Sequence, residues 1–434
     1  MTKELISFIE ESPTAFHAVE EISKRLDTNG FIRLSESENW NLCAGKAYYV
    51  TRNQSSILAF RIPSNSAKSF LIAASHTDSP MFKLKGNCEV PIANSYLRLN
   101  TEVYGGTILP SWLDRPLSLA GRVILCKDGV FTAKNVKTDR NLLLIPSVAI
   151  HQNRSVNTGY NYNPAVDMLP LFAQVDDKSI TVKQLIANEI SCDAENIVGM
   201  DLYVVNRTKG CIWGASEEFF SAPRIDNLMC AYGSLQGFIA ADTPQNSVTV
   251  FYSADNEETG SATKQGAGSV FLSDVLDRIC DALCVDKRQL LASSMMVSAD
   301  NGHAIHPNHP ELSDTKNAPL LNKGVVIKSN AAQKYTTDGM SAAIFSEICH
   351  QANVPVQHFA NRSDMPGGST LGSISNTLVP LCSVDIGMAQ LAMHSSYETA
   401  GSADVAYLID AMKAFFGITL NSSCDGVYRL NVND

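Results

Sequence analysis

Two adjacent glutamates at the end of a strand set the strongest constraint on how this chain folds. Residues 247–253 (SVTVFYS) alternate β-branched or aromatic residues with small ones, as a strand does. They run into Asp255-Asn256-Glu257-Glu258-Thr259-Gly260-Ser261, so Glu257 and Glu258 stand where a strand gives way to a glycine-bearing loop. Within a strand neighbouring side chains face opposite ways, but at a loop both can turn into one cleft. Their mutual repulsion then needs an offset. Water provides it in a solvated loop; a divalent cation provides it in a cleft, taking one carboxylate as ligand and leaving the other as base.

The rest of the chain narrows the choice. At 434 residues it is long enough for a large core and two domains. A net charge of -10 argues against nucleic acid, which calls for a basic stripe. No run of 18 apolar residues is present, so no membrane-spanning helix is expected, and the N-terminus lacks a signal peptide's apolar stretch. The eleven cysteines are scattered and odd in number, and Cys280 and Cys284 have no second pair to complete a zinc site. They read as reduced cysteines of a cytoplasmic protein.

Residues 69–74, 295–298 and 381–386 are short apolar runs bounded by small or polar residues, as buried strands are. Between them lie helical faces: Leu228, Tyr232, Leu235, Phe238 and Ile239; Ala342, Phe345 and Cys349; Val405, Leu408, Ile409, Met412 and Phe415. Strands alternating with helices predict an α/β sandwich with a largely parallel sheet. Residues 97–221 differ. A hairpin with an Asp128-Gly129 turn spans 121–133, a second hairpin is expected from 201–206 and 209–213, and one helix from Ser179 to Ile190. This stretch reads as a mostly β domain inserted into an α/β domain formed by residues 1–96 and 222–434.

Groups able to bind metal recur at the ends of the expected strands, where open α/β sheets gather their ligands. The run 69–74 leads to His76 and Asp78; a ring nitrogen of His76 can take a metal while Asp78 accepts a hydrogen bond from the other. Asp226 opens a helix, where an aspartate taken alone is more commonly a cap than a ligand. The run 295–298 leads to Asp300, and the run 381–386 leads to His394. With Glu258 these residues suit two divalent ions sharing one carboxylate: His76 with Asp300, His394 with Glu258, and Asp226 between them. His303, His306 and His309 are not counted as ligands, because Pro307 breaks any helix that would align them.

SHTDSP at 75–80, RIDN at 224–227, DNEETGS at 255–261, SADNGHAIHPN at 298–308 and LAMHS at 391–395 together resemble the M18 aminopeptidases, the aspartyl aminopeptidase family. Glu102-Val-Tyr-Gly-Gly106, Trp112-Leu-Asp-Arg115, Asn361-Arg-Ser-Asp364 and Gly368-Ser-Thr370 match as well, in the family's order from about residue 70 onward. The resemblance implies a three-layer zinc-peptidase sandwich interrupted by a β-rich dimerisation domain. It also implies two metal ions per subunit, zinc being expected, although imidazole and carboxylate ligands accept cobalt or manganese too. His76, Asp226, Glu258, Asp300 and His394 would be the ligands, Glu257 the general base, and Asp78 the residue orienting His76. His306, Lys328 and Tyr335 would line the substrate pocket, and His151 would enter it from a neighbouring subunit. Small peptides are the substrates so implied, processed inside a tetrahedral dodecamer built from dimers.

The family's name suggests acidic N-terminal residues met by Lys328 or Arg362; other members prefer neutral or apolar ones. Two further readings stand beside the aminopeptidase. A dimetal carboxypeptidase or deacylase would need a cation placed for a terminal carboxylate. A non-catalytic assembly protein would not need the full ligand set.

Overall fold

The structure, a computed structural model, describes residues 1–175 and 181–432. Strands Ser69–His76 and Ser247–Ala254 are buried at every position, which requires a sheet covered on both faces. Successive side chains accordingly enter different cores. Leu71 and Ala73 pack with the helices Thr2–Glu11, Ala15–Thr28, Ile225–Ala240, Gly339–Gln351 and Asp404–Phe416. Phe70, Ile72 and Ala74 pack with Phe271–Leu283, Lys287–Leu291 and Leu371–Leu378 on the other face. The result is the three-layer sandwich expected.

Its sheet has nine strands, in the order Ile32–Arg33, Ala47–Arg52, Ser56–Arg61, Ser247–Ala254, Ser69–His76, Met295–Ala299, Cys382–Gly387, Val325–Lys328 and Val356–Phe359. The four central strands, from Ser247–Ala254 to Cys382–Gly387, run parallel, so their carboxyl ends share one edge. Ser56–Arg61 and Val325–Lys328 pair antiparallel to this block, which makes the sheet mixed.

A second, antiparallel sheet of six strands orders Val130–Lys137, Leu117–Lys127, Ile197–Asn206, Met81–Ile92, Tyr96–Tyr104 and Leu171–Gln174. The Asp128-Gly129 turn is present, with φ of 52° and 78°, the two positive values a two-residue hairpin favours. Two expectations need correction. Met81–Ile92 already belongs to this sheet, so it begins before residue 97; a bulge between Leu84 and Glu89 breaks the alternation that marks a strand. The 201–206 and 209–213 segments are not a hairpin. Ile197–Asn206 lies between Leu117–Lys127 and Met81–Ile92, while Cys211–Trp213 pairs with Phe219–Ala222 in a separate five-stranded sheet. The helix expected from Ser179 runs Val182–Glu189; Ser179 and Ile180 lie outside the described residues.

Candidate metal centre

Each candidate ligand is delivered by an element end. His76 is the last residue of its strand, and Asp300 follows Met295–Ala299 directly. Glu257 and Glu258 begin a short 3-10 turn just after Ser247–Ala254. Asp226 lies at the start of Ile225–Ala240, and its peptide bond to Asn227 is cis. His394 follows Ala389–Leu391. Arg224, Asn256 and His394 take left-handed φ of 58°, 59° and 67°, a conformation that costs a non-glycine residue on the order of 1 kcal/mol or more and clusters at functional sites.

Asp226 occupies the middle. His76 Nε2 lies 3.5 Å from both Asp226 Oδ1 and Asp300 Oδ1. His394 Nε2 lies 3.4 Å from Asp226 Oδ2 and 3.5 Å from Glu258 Oε2. These spacings are long for hydrogen bonds. They match two donors on one ion: bonds of roughly 2.0–2.1 Å at tetrahedral angles put the donors about 3.3–3.4 Å apart. Asp226 Oδ1 and Glu258 Oε1 are buried without a hydrogen-bond partner, an expensive state unless a cation sits before them. The residues therefore fit a metal, and an all-nitrogen-and-oxygen donor set suits zinc.

Both imidazoles are oriented through Nδ1. That of His76 is 3.1 Å from the Asp78 carbonyl and 3.3 Å from Asp78 Oδ1; that of His394 is 3.1 Å from the Gly106 carbonyl. A carbonyl can only accept, so each Nδ1 carries a proton, and each Nε2, turned toward the carboxylates, is the atom left to bind a metal. Asp78 also accepts the backbone N–H groups of Glu257 and Glu258, each at 3.2 Å, and the Tyr104 hydroxyl at 2.6 Å.

The electrostatics show the strain of so many carboxylates. Burial, with the neighbouring Asp300, Asp78 and Asp226 working against a counter-pull from His76, raises Glu257 to about 8. Burial and Asp226 hold Glu258 well above the usual carboxylate range. Burial alone would depress both histidines, but Asp226, Asp300 and Asp78 hold His76 well above its ordinary value, and Asp226 and Glu258 raise His394 to about 10. Added divalent charge would reverse the carboxylate shifts.

Of the expected substrate residues, Lys328 and Tyr335 lie beside this cluster. Lys328 is buried, donates to the Asp300 carbonyl at 2.7 Å and sits 5.1 Å from the Tyr335 ring centre. Burial would lower its pKa, but Asp300, Tyr335, Asp385 and Cys230 together outweigh that and keep it charged. His306 is exposed against His309, and His151 is exposed in a turn of the second-sheet domain. No hydrogen bond or ion pair among the described residues joins either to the ligands. Sequence reasoning missed Glu398. It is buried, and its two oxygens accept the backbone N–H groups of Asp226 at 2.9 Å and His394 at 2.7 Å. Its partners lie four and 172 residues away, and a lone glutamate after His394 gives no sign that it joins the two.

Known proteins share this arrangement of chain. The family model described as aminopeptidase I zinc metalloprotease (M18) matches residues 8–416. A probable M18 family aminopeptidase 2 of Clostridium acetobutylicum is 43% identical over 426 residues, 96% of this chain and 98% of that protein. The cryo-EM structure of the Ape4 and Nbr1 complex contains a chain superposing with a TM-score of 0.92 at 36% identity, over 96% of this chain and 85% of that one. The structure of the S. cerevisiae mApe1 dodecamer gives 0.85 at 28% identity, over 96% of each chain. The chain belongs to the M18 family and is a metalloaminopeptidase.

Proposed function

We propose that the enzyme removes N-terminal residues from small peptides at a dinuclear centre, with Glu257 as general base. The observation that carries this reading is the division of Asp226: one oxygen faces the His76 and Asp300 pair, the other the His394 and Glu258 pair. When bound, two divalent ions supply a nucleophile from water at neutral pH and polarise the scissile carbonyl. His76 with Asp300 would hold one, His394 with Glu258 the other, and Asp226 both. Glu257 is half-buried beside the ligands and outside the close contacts that join them. Its carboxylate takes the proton from the attacking water and delivers it to the leaving amine. Asp78 holds His76 and, through two backbone N–H groups, the glutamate turn.

Glu257→Gln should keep its zinc and lose roughly 10²–10⁴-fold in kcat, the range for a general base. Near-normal turnover in that variant would remove Glu257 from the role. Free-amine, N-acetylated and C-amidated peptides separate the aminopeptidase reaction from carboxypeptidase or deacylase chemistry, because only the first depends on the free amine.

For side-chain preference, Lys328 is the charged and buried cation beside Asp300, whereas Arg362 is only half-buried and held by Asp364 at 2.7 Å. An acidic preference resting on Lys328 means that Asp- and Glu-initiated peptides outpace Leu- and Met-initiated ones, and that Lys328→Met levels them. Equal rates in the wild type would instead favour the neutral reading. We also propose that the subunits assemble as the S. cerevisiae mApe1 dodecamer does, with His151 reaching a neighbour's site and His306 meeting the peptide. All eleven cysteines are free, which supports a cytoplasmic setting.

A further inference from the structure

Strand Tyr96–Tyr104 is hydrogen-bonded into the six-stranded sheet, between Met81–Ile92 and Leu171–Gln174. Its exit, Tyr104-Gly105-Gly106, leaves that sheet and runs across the metal centre, and each of the three residues meets a different part of it. The Tyr104 hydroxyl donates to Asp78 Oδ2 at 2.6 Å and accepts from Asn256 Nδ2 at 2.8 Å. It thus joins the residue that orients His76 to the residue that precedes the glutamate pair. A Cβ on Gly105 would stand 3.1 Å from Glu258 Cβ, and the glycine's φ of +73° already disfavours any side chain. The Gly106 carbonyl accepts from His394 Nδ1 at 3.1 Å, and the next residues continue the contact: Thr107 Oγ1 and the Ile108 N–H both donate to the His394 carbonyl, at 3.2 and 2.9 Å.

We propose that the inserted domain is a working part of the metal centre: through the Tyr104 hydroxyl and the Gly106 carbonyl, one strand exit sets the orientation of both histidine ligands. Tyr104 is a positioning residue acting through Asp78. A strand fixed in a sheet holds such groups more precisely than a free loop does, and the Tyr104 ring is further fixed edge-on against Tyr203, 5.7 Å away. Partners of this kind typically govern metal affinity by 10–100-fold.

The inference rests on His76 being a metal ligand, and Tyr104→Phe tests it because only one oxygen is removed. Zinc affinity by chelator competition, the visible spectrum of the cobalt-loaded enzyme, kcat and KM, and particle mass by light scattering are compared with wild type. Tyr104→Phe should bind zinc about 10–100-fold more weakly, shift the cobalt bands, and lower kcat at unchanged KM and unchanged mass. Tyr96→Phe, which loses an exposed hydroxyl at the far end of the same strand, should match wild type in all four. Wild-type zinc affinity and cobalt spectrum in Tyr104→Phe, or equal losses in Tyr96→Phe, would overturn the proposal. Wild-type protein that takes up no zinc would end the metal reading itself, and shows it without any variant.

Discussion

The two large sheets of this molecule use their faces differently. In the nine-stranded sheet every residue of Ser69–His76 and Ser247–Ala254 is buried, and neighbours along a strand enter opposite cores. In the six-stranded sheet Leu97, Leu99 and Thr101 are buried while Tyr96, Arg98 and Asn100 are not, and the outer hairpin leaves Phe131 68% exposed. A sheet closed on both faces cannot shift its strands without disturbing two cores. That is the frame from which ligands can be presented at fixed spacing. A sheet with an open face retains surface, and its contribution to the chemistry comes from where one of its strands ends.

The sharpest way to break this contrast is at the rigid edge. Asp226→Ala removes the carboxylate that lies between both histidines. Zinc affinity should fall by at least about 100-fold, the upper end of what losing even an outer partner costs, and turnover should fall with it. Bound zinc per subunit and far-UV circular dichroism measure the two halves of the claim: metal lost, fold kept. Full zinc content would show that the strand ends do not depend on Asp226.

Behind that edge the support is packing. Phe251 is fully buried in the doubly covered sheet, with the Phe238 ring 6.2 Å away. Phe251→Ala should cost about 3–5 kcal/mol in denaturant unfolding, the range for a buried phenylalanine. A loss under about 1 kcal/mol would mean that the core closes over the cavity, and that the sheet is less rigid than its burial implies.

How far the sequence revealed each region follows from the same physics. Strands buried on both faces read as continuous apolar runs, so 69–74, 295–298 and 381–386 were legible, and the polar residues just beyond them marked His76, Asp300 and His394. The half-open sheet depends on alternation, which the Leu84 to Glu89 bulge interrupts, so no local pattern assigns Met81–Ile92 to it. Likewise, Ile197–Asn206 pairs with strands more than 70 residues earlier, a choice that local pattern cannot distinguish from a hairpin with 209–213. Within the site, residues that touch a metal carry a recognisable chemistry. Tyr104, Gly106 and Glu398 act at one remove, through hydrogen bonds to Asp78, His394 and Asp226, and a tyrosine, a glycine or a glutamate in those positions carries no signal of such a role.

Where the two regions meet, pH should loosen the molecule. Helix Ala15–Thr28 is in contact with the second sheet: Asn135 donates to the Phe16 carbonyl at 3.3 Å, and the Arg122 guanidinium lies 4.3 Å from the Phe16 ring centre. His17, buried on this helix and bonded to the Thr14 hydroxyl at 2.9 Å, is pulled down to about 4, by burial first and then by Lys137 and Arg224 against the pull of Glu20. At pH above about 6.5 it is neutral whether the chain is folded or not. Below that the unfolded chain takes up the proton and the folded one does not, so stability is lost as pH falls from about 6.5 to about 4. Between pH 7.5 and 5 the loss should be about 2 kcal/mol, read as the difference in denaturant midpoints between wild type and His17→Gln. An identical pH response in the two proteins would assign the acid sensitivity elsewhere.

The smallest effect belongs to the open face, and it tests the comparison most directly. Phe131 sits in the outer hairpin of the six-stranded sheet with most of its ring in solvent. Replacing an apolar side chain that keeps most of its surface in solvent changes stability by at most about 0.5 kcal/mol, so Phe131→Ser should unfold at nearly the wild-type denaturant concentration. A substantially larger loss would mean that the face is covered in the native particle. The loss should then depend on protein concentration, because a surface covered by another copy contributes through mass action. A loss independent of concentration would place the cover within the chain itself and erase the difference between the two sheets.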